Sequence, residues 1–177
     1  SPDRFLQLIE REGVTVLNQT PSAFRQMVDA DQASPGDLSR LRFVIFGGEA
    51  LDLPSLRAWT ASRGDQQPAL INMYGITETT VHVTYRPIRS EDLTGVRTRI
   101  GVQLPDLDLH LLDPLSLELV PDGTVGEICV GGAGVARGYL NRPDLSATRF
   151  VPNPFSDRRG GTLYRSGDLA RRRHDGD

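Results

Sequence analysis

Residues 43–51 read Phe43-Val44-Ile45-Phe46-Gly47-Gly48-Glu49-Ala50-Leu51, four apolar residues halted by a glycine pair. A run this short, with β-branched residues at its centre, has the pattern of a buried strand rather than a helix. A helix expected from about Pro54 to Ser62 follows, and then a second such run, Leu70-Ile71-Asn72-Met73. Upstream, Val14-Thr15-Val16-Leu17 is a third. Thr20-Pro21-Ser22 opens a helix with Phe24, Met27 and Val28 on one face, and Asp31 to Arg40 reads as a polar connection. Ser1-Pro2-Asp3 starts an earlier helix, carrying Phe5, Leu6, Leu8 and Ile9, that Gly13 stops. Strands separated by helices imply right-handed crossovers and a parallel sheet, so the expected class is α/β.

Beyond about Tyr85 the pattern changes. Leu107, Leu109 and Leu111 alternate with Asp108 and His110, as in a strand with one wet face. Pro121-Asp122-Gly123 is a turn signal, and Gly126-Glu127-Ile128-Cys129-Val130-Gly131-Gly132 is a strand ending in glycines. A short helix from Pro143 to Phe150 follows, then an irregular stretch with Pro152, Pro154 and Gly160-Gly161. These features divide the chain at 85/86, with an α/β part over 1–85 and a β-rich barrel or sandwich over 86–177. The final Asp175-Gly176-Asp177 is a turn with nothing after it, the pattern of a truncated product.

The 177 residues carry 23 acidic and 20 basic side chains, a formal charge of −3. All the basic residues are arginine, so no side-chain amine is present to act as a nucleophile or a tunable cationic acid. The near-neutral balance disfavours nucleic acid, which calls for a basic face. No apolar run approaches the ~20 residues that span a bilayer, and no charged-then-apolar leader opens the chain. The lone Cys129 excludes an intrachain disulfide and a multi-cysteine zinc site, which points to a reducing compartment, the cytoplasm.

Three segments can carry chemistry. Phe46 to Leu51 places glycines at the carboxyl end of a strand, where ligands of parallel sheets bind; an ordinary strand-to-helix turn explains the same residues. Asn72-Met73-Tyr74-Gly75-Ile76-Thr77-Glu78-Thr79-Thr80 offers an aromatic face, hydroxyls suited to phosphate and one carboxylate suited to Mg²⁺. A capped helix start with a core tyrosine is its alternative. Tyr164-Arg165-Ser166-Gly167-Asp168-Leu169-Ala170-Arg171 places a carboxylate after a glycine, fit for a ribose diol; a β-turn with a solvated aspartate is the competing reading. Cys129 reads as core, Arg137, Arg142 and Arg149 as framework and surface, and His110 and His174 as solvated.

In order, these segments resemble the adenylate-forming superfamily, and specifically the adenylation domains of nonribosomal peptide synthetases. The carriers are LNQTPSAF at Leu17–Phe24, GGEAL at Gly47–Leu51, NMYGITET at Asn72–Thr79, GEICVGGAGVARGYLNRPDLSATRF at Gly126–Phe150 and YRSGDLAR at Tyr164–Arg171. Ile76 departs from the family's usual proline. The resemblance implies the end of a flavodoxin-like parallel-sheet subdomain followed by a small β-barrel subdomain. It also implies a reaction: an amino acid and ATP give aminoacyl-AMP and pyrophosphate, and the acyl group passes to a carrier-protein phosphopantetheine thiol. Tyr74 would stack on adenine, Asn72 meet its amino edge, and Gly48 and Glu49 line the adenine side through their backbone. Thr77 would contact phosphate, Glu78 hold Mg²⁺ and Asp168 bind the ribose hydroxyls. Asn18, Ile45, Gly47, Met73, Val81 and His82 would surround the amino-acid side chain, a set similar to that of threonine-activating domains.

The family's lysine-bearing phosphate loop and C-terminal lobe are not among these residues, so the isolated chain is expected to be inactive and to need the remainder of its domain. The expected partners are threonine, ATP and a carrier domain, with room for a small helper protein, and neither nucleic acid nor membrane. Two alternatives stand beside this reading: an acyl- or aryl-CoA ligase of the same superfamily, and a non-catalytic nucleotide-binding or interaction fragment.

Overall fold

The computed structural model describes residues 1–95, 99–156, 160–174 and 176. Asp175 and Asp177 of the terminal turn lie outside the described residues. Two compact units interleave around residue 85: Ser1–Met73 with Arg86–Ile100, and Tyr74–Tyr85 with Gly101–Asp177. Parallel strands with helical connections in one and an antiparallel sheet in the other make the chain mixed α/β.

In the first unit, β1 (Val16–Gln19), β2 (Phe43–Phe46) and β3 (Ala69–Asn72) pair in parallel in that order. Residues Arg86 to Ile88 of β4 (Thr84–Ile88) add to β3 in the antiparallel sense, a strand the sequence pattern did not reveal. Helices α1 (Pro2–Glu12), α2 (Pro21–Ala33) and α3 (Arg57–Arg63) bury their apolar faces against Leu17, Val44, Phe46 and Leu70. Those four residues share one face of the parallel strands, because side chains alternate along a strand. Phe24 meets Phe46 and Trp59 edge-on, each with ring centroids 5.0 Å apart, which fixes α2 and α3 over the sheet. α2 runs on to Ala33, into the stretch expected as a connection. Asp31 is the reason: buried within α2, it takes two hydrogen bonds from Arg63, at 2.6 and 2.9 Å, and one from the Gly36 N–H.

In the second unit, β6 (Leu107–Leu112), β7 (Val125–Gly132), β8 (Phe150–Pro152) and β9 (Thr162–Arg171) form an antiparallel sheet ordered β6-β7-β9-β8. The short α4 (Pro143–Arg149) leads into β8, and β5 (Val102–Gln103) pairs with Thr84 and Tyr85. β9 absorbs the whole Tyr164–Arg171 segment, which is therefore strand rather than an isolated turn. Its register against β7 slips: Cys129 faces Arg165 and Glu127 faces Leu169. Ser166, Gly167 and Asp168 thus stand opposite the single Ile128 in a bulge, a device found beside functional sites. Cys129 is buried in the core of this sheet with Leu112 and Leu163. His110 is packed rather than solvated: its ring lies 4.5 Å from that of Phe155. No helix among the described residues is long and apolar enough to cross a membrane.

Candidate functional site

In the first unit, the strand register decides which predicted residues share a surface. Asn18 faces Ile45, and Ile45 faces Ile71, on the side opposite the helices. Gly47 and Met73 continue the same alternation just past the ends of β2 and β3, and the Met73 N–H donates to the Phe46 carbonyl at 2.9 Å. Asn18, Ile45, Gly47 and Met73 therefore line one face; Asn18 is exposed and the others are half-buried. Asn72 points the other way and is buried. Its Nδ2 donates to the Arg99 carbonyl at 2.8 Å, which turns Oδ1, an acceptor, away from that carbonyl. Gly48 and Glu49 are exposed, but the Glu49 carboxylate is engaged: it accepts from the Ser22 N–H at 3.1 Å and from Ser22 Oγ at 2.8 Å. It thereby satisfies the first turn of α2, where unpaired N–H groups favour an anion. What this loop can offer a ligand is backbone.

The second unit holds Tyr74–Tyr85, and its geometry explains the Gly75 position. A Cβ there would fall 2.0 Å from the Val81 carbonyl oxygen and 2.7 Å from the His82 Cα, so only glycine lets the loop fold back on itself. Ile76 supplies what the family's usual proline cannot, an N–H that donates to Thr79 Oγ1 at 3.4 Å. Thr77–Thr79 forms one 3₁₀ turn, with Thr77 exposed and Thr79 buried. Thr80 and Val81 then adopt φ of 58° and 73°, costly for β-branched residues, and strain of this kind gathers at ligand sites. Anchors from the facing loop hold it: Thr80 Oγ1 donates to the Gly134 carbonyl at 2.7 Å, and the Ala136 N–H to the Glu78 carbonyl at 2.8 Å. Val81 is exposed, and the buried Nδ1 of His82 has no hydrogen-bond partner among the described residues. Burial depresses the His82 pKa, keeping the ring neutral.

Two contacts join distant segments of this unit. The Tyr74 hydroxyl donates to Asp168 Oδ2 at 2.6 Å across 94 residues of chain. Burial first, and this bond second, push the phenol pKa up, so it stays a donor. The Tyr139 hydroxyl donates to Glu78 Oε1 at 2.5 Å and lies 3.1 Å from the Tyr164 hydroxyl. The Tyr139 bond leads in holding Glu78 below the ordinary carboxylate range, so the group is an anion at neutral pH. Phe150 packs between Tyr139 and Tyr164, with centroids 5.4 and 4.9 Å away.

Tyr139, Tyr164 and Glu127 carry no signal of a role in the sequence alone, although each lies within a motif-bearing segment; the contacts to Glu78 and to the Asp168 bulge single them out. Arg149 Nη1 donates to the Arg165 carbonyl at 3.3 Å and Arg142 pairs with Asp144, both framework contacts. Among the described residues no three His, Cys, Asp or Glu converge on a metal position.

Residues 1–140 match the model of the AMP-binding enzyme family. The chain is 51% identical to a dimodular nonribosomal peptide synthase of Bacillus subtilis (strain 168), covering 99% of this chain and 7% of that protein. It is 49% identical to malpinin synthetase of Mortierella alpina, covering 99% of this chain and 2% of that protein. Among solved structures, it matches PA1221, an NRPS protein containing adenylation and PCP domains, with TM-score 0.85 and 31% identity, over 99% of this chain and 34% of that one. The chain thus spans a small part of each.

Proposed function

The chain belongs to the AMP-binding enzyme family, and from that premise we propose that it forms part of an adenylation domain of a nonribosomal peptide synthetase. The reaction joins an amino acid, through its carboxylate oxygen, to the α-phosphorus of ATP and expels pyrophosphate. The aminoacyl group then moves to the phosphopantetheine thiol of a carrier domain. Such chemistry depends on in-line positioning and charge neutralisation and requires no protein nucleophile.

The observation that carries this reading is the Tyr74–Asp168 bond at 2.6 Å: it joins an aromatic ring to an exposed carboxylate, the pair a nucleoside needs for its base and its ribose. In this reading Tyr74 stacks on adenine, Asp168 receives the ribose hydroxyls, and Asn72 Oδ1 accepts from the adenine amino group. Gly48 and Glu49 approach adenine through their backbone, and Thr77 donates to phosphate. Glu78 fits a Mg²⁺ role because it is a single hard anionic ligand, and Mg²⁺ is commonly held by one or two carboxylates together with substrate phosphates. The ion would neutralise phosphate charge in the reaction.

For the amino acid, Asn18, Ile45, Gly47, Met73, Val81 and His82 are proposed to select threonine. The Nδ1 of His82, without a hydrogen-bond partner among the described residues, supports this, since a β-hydroxyl would give it one. The carrier domain, the remainder of the adenylation domain, a small helper protein and a cytoplasmic setting for secondary-metabolite synthesis belong to the same reading.

The test is amino-acid-dependent ATP–pyrophosphate exchange by the full-length protein across a panel of amino acids. Threonine is expected to give the highest kcat/KM, serine roughly 10–200-fold less, and valine up to ~10⁴-fold less, because valine leaves polar groups unpaired. Preference for valine or an aromatic would sink threonine alone. Thioester formation on free CoA, with no amino-acid-dependent exchange, would favour the acyl-CoA ligase alternative.

A further inference from the structure

Glu127 lies in β7 and is 3% exposed, a cost that a carboxylate bears only with good partners. It has them at both ends. Oε2 accepts from Arg165 Nε at 3.1 Å and Nη2 at 2.6 Å, while Oε1 accepts from the backbone N–H of Gly167 at 3.0 Å. The first contact is by itself an ordinary structural ion pair. The second reaches the bulge itself, one residue before Asp168. Gly167 has φ of 82°, a left-handed conformation, and the stretch before it is held as well by Arg149, whose Nη1 donates to the Arg165 carbonyl at 3.3 Å. The Asp168 N–H donates to Ser166 Oγ at 3.0 Å, which carries that order through to the aspartate.

We infer that Glu127 is a positioning residue for nucleoside recognition: by holding Arg165 and the Gly167 N–H together, it sets the bulge that presents Asp168 to Tyr74 and to a ribose. The inference rests on the proposed ribose role of Asp168. It assigns Glu127 no contact with substrate.

Glu127→Gln tests it with little change of shape. An amide has one oxygen and one NH₂, so it cannot accept at both ends as a carboxylate does, and it sets a donor against either Arg165 or the Gly167 N–H. The measurement is pyrophosphate exchange by the full-length protein, with ATP and 2′-deoxyATP compared. In E127Q the ATP KM should rise by about tenfold, the loss of one well-made hydrogen bond's worth of positioning, and the preference for ATP over 2′-deoxyATP should narrow. The amino-acid KM should stay at the parent value. A general structural defect would lower kcat for both nucleotides and leave their ratio alone; that result, or an unchanged ratio and ATP KM, overturns the inference.

Asp168→Asn separates the two levels. If D168N keeps the ATP preference, the ribose reading of Asp168 falls and the inference falls with it; if D168N loses the preference and E127Q does not, only Glu127 is misassigned. Should E127Q fail to fold with Arg165 unpaired, E127L/R165M removes both charges and the acceptor for the Gly167 N–H together. A narrowed ATP preference in that folded double variant supports the inference, and the parent preference in it refutes it.

Discussion

Tyr74 combines two interactions that one substitution series can separate. Its hydroxyl bonds a carboxylate at 2.6 Å, and hydrogen bonds to charged groups are worth about 1.5–3 kcal/mol net. Its ring, as proposed, stacks on a base, worth ~1–3 kcal/mol. Tyr74→Phe keeps the ring and frees Asp168, so the ATP KM of the full-length protein should rise by roughly tenfold. Tyr74→Ala should raise it by about a further order of magnitude. Equal effects in the two variants would remove the stacking role, and a matching rise in amino-acid KM would show a general disturbance instead. At this scale the sequence was informative where a residue's chemistry is rare in its setting: a Tyr-Gly pair after a strand, or a Gly-Asp pair between basic residues. It was silent on Tyr139 and Glu127, because a tyrosine 61 residues from Glu78, or a strand glutamate 40 residues from Gly167, carries no local sign of its partner.

His110 lies on β6 opposite Cys129, under the ring of Phe155, and its environment yields a pH dependence. Burial leads in holding its pKa below the ordinary 6.5; Asp108 pulls it up and Arg172 pushes it down. The neutral ring is therefore the form the fold prefers, and as pH falls the unfolded chain takes up this proton first. Its contribution is full above about 6.5 and is lost as pH falls from there through the lowered folded value. His110→Phe keeps a ring against Phe155 and removes the proton site. The fall in thermal midpoint between about pH 7 and about pH 5 should be smaller in the variant than in the parent. An identical fall would assign that acid sensitivity to other groups. The elements themselves were legible where the pattern is local and regular: β2, β3 and the helix before each are plain in the apolar runs. β9 was not, because its bulge breaks the two-residue alternation at Ser166-Gly167-Asp168, where the residues mimic a turn. β4 was hidden by Pro87, a residue that argues against a strand, and the end of α2 by the ion pair of Asp31 with a partner 32 residues away.

Across the whole chain, charge chemistry limits what these 177 residues can do unaided. Twenty arginines supply positive charge, but the guanidinium is a fixed fork, and no lysine is present to give a compact, mobile ammonium at a phosphate. Acidic side chains are more numerous, at 23, yet among the described residues no three metal-binding side chains converge. Mg²⁺ gives up its water reluctantly and is normally shared between a carboxylate or two and substrate phosphates. A lone Glu78 should therefore bind the ion only when nucleotide brings it. Two outcomes are expected for the 177-residue chain on its own. Millimolar MgCl₂ without nucleotide should leave its thermal midpoint where EDTA leaves it, because a ligand stabilises only by binding the folded state. The folded chain, verified by circular dichroism, should give no amino-acid-dependent pyrophosphate exchange, since neither of the family's lysine-bearing segments is part of it. A midpoint raised by Mg²⁺ alone would reveal a protein-made metal site beyond the side-chain groupings of the described residues. Exchange above the enzyme-free background would mean that positioning by Tyr74, Glu78 and Asp168, with arginine as the sole cation, suffices for adenylate formation.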